Sequence, residues 1–271
     1  MAIVEGLFIY PFKSARGLPR TSIRVASSGF EWDRNWMAVD ANGKFLSQRT
    51  HPTLAQLVPT LTSDSLVLSL PGRSPLRLPL LPDEGPRRDV SIWRDRCGSI
   101  DQGDEAAAWL SGFLGQEVRI VRVPPRIERL ANPKYAGSVP APVTFVDGYP
   151  FLVCNRASLE DLNSRMAEPV PMERFRPSIV LGGLEPFAED RIATVSLGKL
   201  QLRLVKPCDR CIITSTDQTT GERSTNPLPV LRTFRFDREL LGVMFGENAI
   251  IESGVGTELE VGREATVTLD G

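Results

Sequence analysis

Charge of one sign, long apolar runs, histidine and clustered cysteine are all scarce in this 271-residue chain, and each shortage closes off a class of function. Lys and Arg number 32 against 33 Asp and Glu, a net charge of −1. A nucleic-acid binder ordinarily carries a basic excess, and none is visible here, although a local patch can still hold one small anion. No run reaches the roughly 18 apolar residues that a spanning helix needs, so no membrane association is expected. The N-terminal text MAIVEGLFIYPFKSARG is interrupted by Glu5 and Pro11, and it lacks the basic segment that opens a signal peptide. The four cysteines are therefore expected in a reducing, cytoplasmic compartment, where structural disulfides are rare. With a single histidine, a Ser-His-Asp triad would have to use His51, whose Arg-Thr-His-Pro context reads as a surface turn. A structural zinc site wants two close pairs of ligands, but Cys97, Cys154 and His51 are isolated, so zinc is poorly supported. Gly254-Val255-Gly256 lacks the third glycine of a dinucleotide fingerprint, and the TELEVG that follows reads as strand. No phosphate-binding P-loop occurs, nor the cysteine cluster of a plant-type iron–sulfur site.

The chain is long enough for one large domain or two ordinary ones, and 41% hydrophobic with 24% charged residues are globular proportions. Proline and glycine, 22 each, punctuate many short β-like runs. Asn35–Asp40 and Lys44–Arg49 flank Asn42-Gly43, which predicts a hairpin with a type I′ turn. Ser65–Leu70, Val118–Val123, Phe151–Cys154 and Ser178–Leu181 are further strand candidates. In Leu200–Val205 the leucines alternate with Gln201 and Arg203, the period of a half-buried strand, and Glu264–Leu269 repeats the pattern. Helices are few. Asp104 is placed to cap EAAAWLSGFL, which stops at Gly115, and Ser158 opens LEDLNSRM. Strands without a βαβ rhythm predict an α+β class, predominantly β. Five prolines between Val123 and Pro142 read as a crossing between parts, with a boundary near 125 that divides the chain into 1–125 and 126–271.

The sharpest chemical signal is Lys206-Pro207-Cys208-Asp209-Arg210-Cys211, directly after the alternating strand. Pro207 is expected to end that strand and throw the cysteines into a loop, where side chains can face a ligand. Arg210 favours the thiolate of a neighbouring cysteine, the form that binds metals. The motif alone leaves two readings open, a metal or redox cysteine and a pair of small buried hydrophobes. Ile212, Ile213 and Thr214 are β-branched and argue against the helix that follows a thioredoxin-like motif. One thiolate holding a metal whose other ligands come from a cofactor fits better. Lys13 with Ser14, Arg34 in WDRNW between two tryptophans, and Arg176 in FRPS could each hold a phosphate, or be solvated surface charges.

The segments YPFKSARG, WDRNW with SQRTHPTL, FRPSIVLGG and KPCDRCIITSTDQTTGE together, with ASLEDLNSRM, resemble MOSC-domain proteins that carry an N-terminal β-barrel-like extension. That group includes the mitochondrial amidoxime-reducing component and its bacterial relatives, and the likeness covers essentially the whole chain. The resemblance implies a mixed β-barrel core, an N-terminal β-domain and a molybdenum–molybdopterin cofactor. It makes Cys211 the metal ligand and catalytic residue, with Cys208 a neighbour. It assigns the cofactor's phosphate and pterin to Lys13, Arg34 and Arg176, assisted by Ser14 and Arg210, with Asp147 lining the site. Gly148 and Tyr149 depart from the hydroxyl residues expected beside Asp147, and Ser178 stands where an Asn is common. The implied activity is reduction of N-hydroxylated small molecules. Electrons are expected from a separate ferredoxin- or cytochrome-type protein and its reductase, because no carrier motif is present. The alternative is a non-catalytic cofactor or sulfur carrier.

Overall fold

Strand is the dominant element, as the alternating patterns predict. The computed structural model describes residues 1–81 and 85–270. Seven strands form a closed ring in the order Phe151–Asn155, Ile179–Gly182, Ala2–Ile9, Glu264–Leu269, Ile192–Leu197, Leu200–Asp209 and Gly242–Ser253, the last pairing back with the first. Phe151–Asn155 and Ile179–Gly182 run parallel, and the other neighbours are antiparallel, so the barrel is mixed. The first strand enters this ring from the N-terminal part of the chain. Its interior is filled by the inward members of each alternation, among them Leu7, Phe151, Ile179, Val195, Leu200 and Leu202. Full burial of one such side chain contributes about 1.5–3 kcal/mol.

Residues between the first two ring strands in sequence build smaller sheets. One takes Trp36–Val39, Arg119–Arg122, Asp95–Asp101 and Arg87–Ile92 in that spatial order, and a meander takes Val58–Leu61, Ser65–Ser69 and Leu76–Pro79. Leu54, Leu66, Leu68, Leu78 and Leu110 make a second core beneath them. The helix Gly103–Leu114 covers that core and ends at Gly115 in a left-handed conformation (φ 69°).

Several local expectations are corrected. Asp104 does not cap the first helix; Asp101 accepts from the Gly103 N–H at 2.9 Å, and Asp104 pairs with Arg119 in the first turn. The helix Arg156–Ser164 is capped by Asn155, whose side chain accepts from Ala157 N, while Ser158 is buried and donates to Glu189. The turn at Asn42-Gly43 is not type I′, because only Gly43 has a positive φ (75°). The Asp40 carboxylate accepts from Asn42 N and Lys44 N, and the strand beyond shrinks to single bridges at Lys44 and Phe45. The Leu200–Asp209 strand runs on through Pro207. Register shifts between Leu204 and Lys206 and between Pro207 and Asp209 leave the proline at an irregularity that needs no ladder donor. Past it, the β-branched run forms no α-helix but a single 3-10 turn, Ile212–Ser215, with Cys211 at its head.

Candidate functional site

The barrel and the smaller sheets enclose a cavity of about 400 Å³. Lys13 and Ser14 reach it from just beyond the first strand, and Arg34 from the turn before Trp36–Val39. Asp147 comes from the approach to Phe151–Asn155, and Arg176 and Ser178 from the approach to Ile179–Gly182. Arg210 and Cys211 follow Leu200–Asp209. Every site residue singled out from the sequence lines this one space. Six basic side chains face it against two acidic ones, Asp147 and Asp209, in a chain whose overall charge is −1.

Lys13 is buried, and its ammonium donates to Phe145 O and to Asp147 Oδ1, both at 2.6 Å. Burial pulls its pKa down to about 8 in spite of that carboxylate. Burial would raise Asp147, but Lys13 and Arg49 outweigh it and hold the carboxyl well below the usual range. Arg34 and Arg176 both stack on Tyr10, with guanidinium carbons 4.1 and 4.2 Å from the ring centre. Burial pushes the Tyr10 hydroxyl well above the ordinary phenol range, and it donates to Pro177 O. Burial lowers Arg176 to about 10, still protonated at neutral pH. Arg210 donates to Cys208 Sγ at 2.9 Å and to Phe175 O at 2.5 Å. Burial opposes its charge, yet the Cys208 and Cys154 sulfurs prevail and raise its pKa. The guanidinium therefore serves Cys208, while Cys211 stands at the 3-10 turn with its carbonyl accepting from Thr214 N and Oγ1.

Two kinds of local strain and dissatisfaction concentrate here. Among the described residues, seven non-glycine positions have positive φ, and Ser14, Arg34, Trp93 and Arg176 of these line the cavity. Such conformations are uncommon outside glycine and collect where function holds them. Arg49 Nη1 and Arg210 Nε are buried without a hydrogen-bond partner, although buried donors are normally satisfied. Both belong to side chains on the cavity wall, so an anionic or acceptor-rich ligand there would complete them.

Sequence reasoning missed several contributors. Tyr10 lies 24 and 166 positions from the two arginines that stack on it (34 and 176 less 10), and no spacing rule links them. Arg49 pairs with Asp147 at 3.3 Å and stacks on Trp93 at 4.4 Å. Arg223 ties the two halves of the wall, donating to Ile212 O and Thr216 Oγ1 on one side and to Gln48 O and Arg49 O on the other. His51, read as a surface residue, is half-buried and contacts Thr50 and Gln116. It lines a larger open cleft of about 1050 Å³, which shares Arg49, Trp93, Asp147, Tyr149 and Lys206 with the cavity. Outside the cavity lining, Glu247 and Glu189 are buried, each with one carboxylate oxygen unpartnered. Burial together with Asp190 and Glu189 drives Glu247 up to about 9.

Among the described residues, no three His, Cys, Asp or Glu side chains gather as a metal set. A metal here would therefore need most of its ligands from outside the chain. Residues 1–117 match the MOSC N-terminal beta barrel domain and residues 140–266 the MOSC domain. Mitochondrial amidoxime-reducing component 1 of Mus musculus is 33% identical over 86% of this chain and 71% of its own length. The chain belongs to the MOSC family. The Homo sapiens component 1 is 31% identical over 92% of this chain and 79% of its own length. A molybdenum cofactor sulfurase of Danio rerio is 32% identical over 89% of this chain, which spans only 31% of that relative. The molybdenum-cofactor connection of this MOSC chain rests on those relatives. Among its described residues, no helix is long and apolar enough to cross a membrane.

Proposed function

We propose that this MOSC protein holds a molybdenum–molybdopterin cofactor through Cys211 and uses it to reduce N-hydroxylated compounds. The observation that carries the reading is a half-buried thiol, Cys211, that Arg210 leaves unbonded while it holds Cys208, on a cation-lined cavity with unsatisfied buried donors. The residues present fit the group: cations for a phosphate, donors for a pterin and a soft thiolate for the metal. When bound, the cofactor supplies two-electron chemistry at a sulfur-ligated metal.

The chain's own part is to bind and to orient. Arg34 and Arg176, both stacked on Tyr10, present two guanidiniums to a phosphate, and Lys13 adds an ammonium paired with Asp147. Arg210 Nε is free to donate while its other nitrogens hold Cys208 and Phe175. Arg223 and Arg174 pin the segment after Cys211, which fixes where the thiol stands. In this reading residues 1–125 supply Lys13, Ser14 and Arg34, and residues 126–271 supply Asp147, Arg176, Ser178, Arg210 and Cys211. Electrons come from a separate ferredoxin- or cytochrome-type partner and its reductase. That partner docks near the Cys211 loop, where Ile212 is exposed, through the small, brief contact usual for electron transfer.

The open cleft that shares a wall with the cavity leaves room for a substrate from solution, which supports a reductase over a non-catalytic cofactor or sulfur carrier. The test is turnover: protein loaded in a molybdopterin-producing host should convert benzamidoxime to benzamidine with dithionite as reductant. Fully loaded protein inert under those conditions would favour the carrier.

A further inference from the structure

Trp93 occupies a position that its side chain does not favour. Strands Arg87–Ile92 and Asp95–Asp101 pair Ile92 with Asp95, so Trp93 and Arg94 are the two residues of a tight hairpin turn. Trp93 takes φ 56°, in the left-handed region where turns of this kind use Gly, Asn or Asp. A bulky aromatic there is a genuine outlier, and an outlier retained at a ligand cavity is a reason to look for function.

The ring does not swing freely. It meets Phe45 edge to face at 5.1 Å, carries the Arg49 guanidinium at 4.4 Å, and its Nε1 lies 3.4 Å from Asp147 Oδ1. Through Arg49 and Asp147 it joins the set of side chains that fixes Lys13. Yet the residue stays 52% exposed, and it lines both the cavity and the open cleft. It is a rigidly braced aromatic surface at the seam where a molecule from solution meets the cofactor cavity.

We propose that Trp93 is the specificity-determining residue of the site, its indole being the platform on which a planar aromatic N-hydroxylated substrate stacks. The proposal rests on the reductase reading and adds the substrate class. Stacked aromatic pairs gain enough beyond simple burial to change a dissociation constant by about tenfold. Small aliphatic N-hydroxylated compounds lack that gain, so the residue separates the two classes.

The test uses full-length, cofactor-loaded wild type, Trp93→Ala and Trp93→Phe, with pterin content measured in each. The ratio of kcat/KM for benzamidoxime to that for acetamidoxime should fall about tenfold in Trp93→Ala, through KM, and be largely kept in Trp93→Phe. A parallel fall for both substrates, with the ratio held, would make Trp93 a structural residue and overturn the proposal. So would an unchanged ratio. Wild-type protein that reduces neither substrate would sink the reductase reading, and calorimetric titration with benzamidoxime then decides the stacking alone. About tenfold weaker binding to Trp93→Ala supports it, and equal binding overturns it.

Discussion

Replacing Glu247 with Gln should stabilise this protein, and more so as the pH rises. Glu247 lies on the Gly242–Ser253 strand opposite Pro207, is 4% exposed and has one carboxylate oxygen without a partner. Burial, Asp190 and Glu189 raise its pKa from 4.5 to about 9, against the pull of Arg235. A raised pKa means that folding takes up a proton at this site. Its stabilising contribution is therefore complete below pH 4.5 and is lost progressively as pH rises towards 9. Each unit inside that window is worth about 1.4 kcal/mol, which sets a limit of about 4 kcal/mol between pH 5 and pH 8. Relaxation around a charged carboxylate reduces this to about 2–3 kcal/mol. Glutamine keeps the shape and stays neutral, so Glu247→Gln should match the wild type at pH 5 and exceed it at pH 8. For a chain of this size the gain corresponds to roughly 5–10 °C in Tm. Calorimetric or circular-dichroism melts of both proteins across the range read the difference directly. Curves that stay parallel from pH 5 to pH 8 would refute the reasoning.

Arg176→Gln should weaken retention of the pterin cofactor by about 1.5–3 kcal/mol, the scale of one charge-assisted hydrogen bond, measured as pterin released after dialysis; unchanged retention would take Arg176 out of the site. Loaded protein with NADH alone should not reduce benzamidoxime, because the chain has no flavin, nicotinamide or iron–sulfur motif. Adding a ferredoxin- or cytochrome-type donor with its reductase should restore turnover, and activity with NADH and no second protein would expose an internal electron carrier.

What the sequence made legible was periodic or local. The leucines of Leu200–Asp209 alternate at period two, and the structure buries that set. Gly115 stops its helix because only a residue tolerant of left-handed backbone fits there. Where competing local acceptors were close in sequence the reading slipped: Asp101 rather than Asp104 accepts from the first helical N–H, at Gly103, and Asn155 rather than Ser158 caps the next helix. Pro207 reads as a strand end because its missing N–H breaks a ladder, but a register shift absorbs that loss. At the site, the basic residues and cysteines stood out by type, and the resemblance grouped them. Their supports did not, since Tyr10, Arg49, Trp93 and Arg223 act through contacts that span 44 to 175 positions of sequence and that only the closed barrel and its neighbouring sheet create.

Whether Cys211 is the one protein ligand to a molybdenum–pterin cofactor is tested most directly by expressing wild type, Cys211→Ser and Cys208→Ser in a molybdopterin-producing host and measuring molybdenum and released pterin per folded chain. Wild type should carry both, Cys211→Ser should lose molybdenum while keeping its fold, because a hydroxyl is a poor soft-metal ligand, and Cys208→Ser should lose less. Equal molybdenum in the two variants, or loss only in Cys208→Ser, would contradict the assignment.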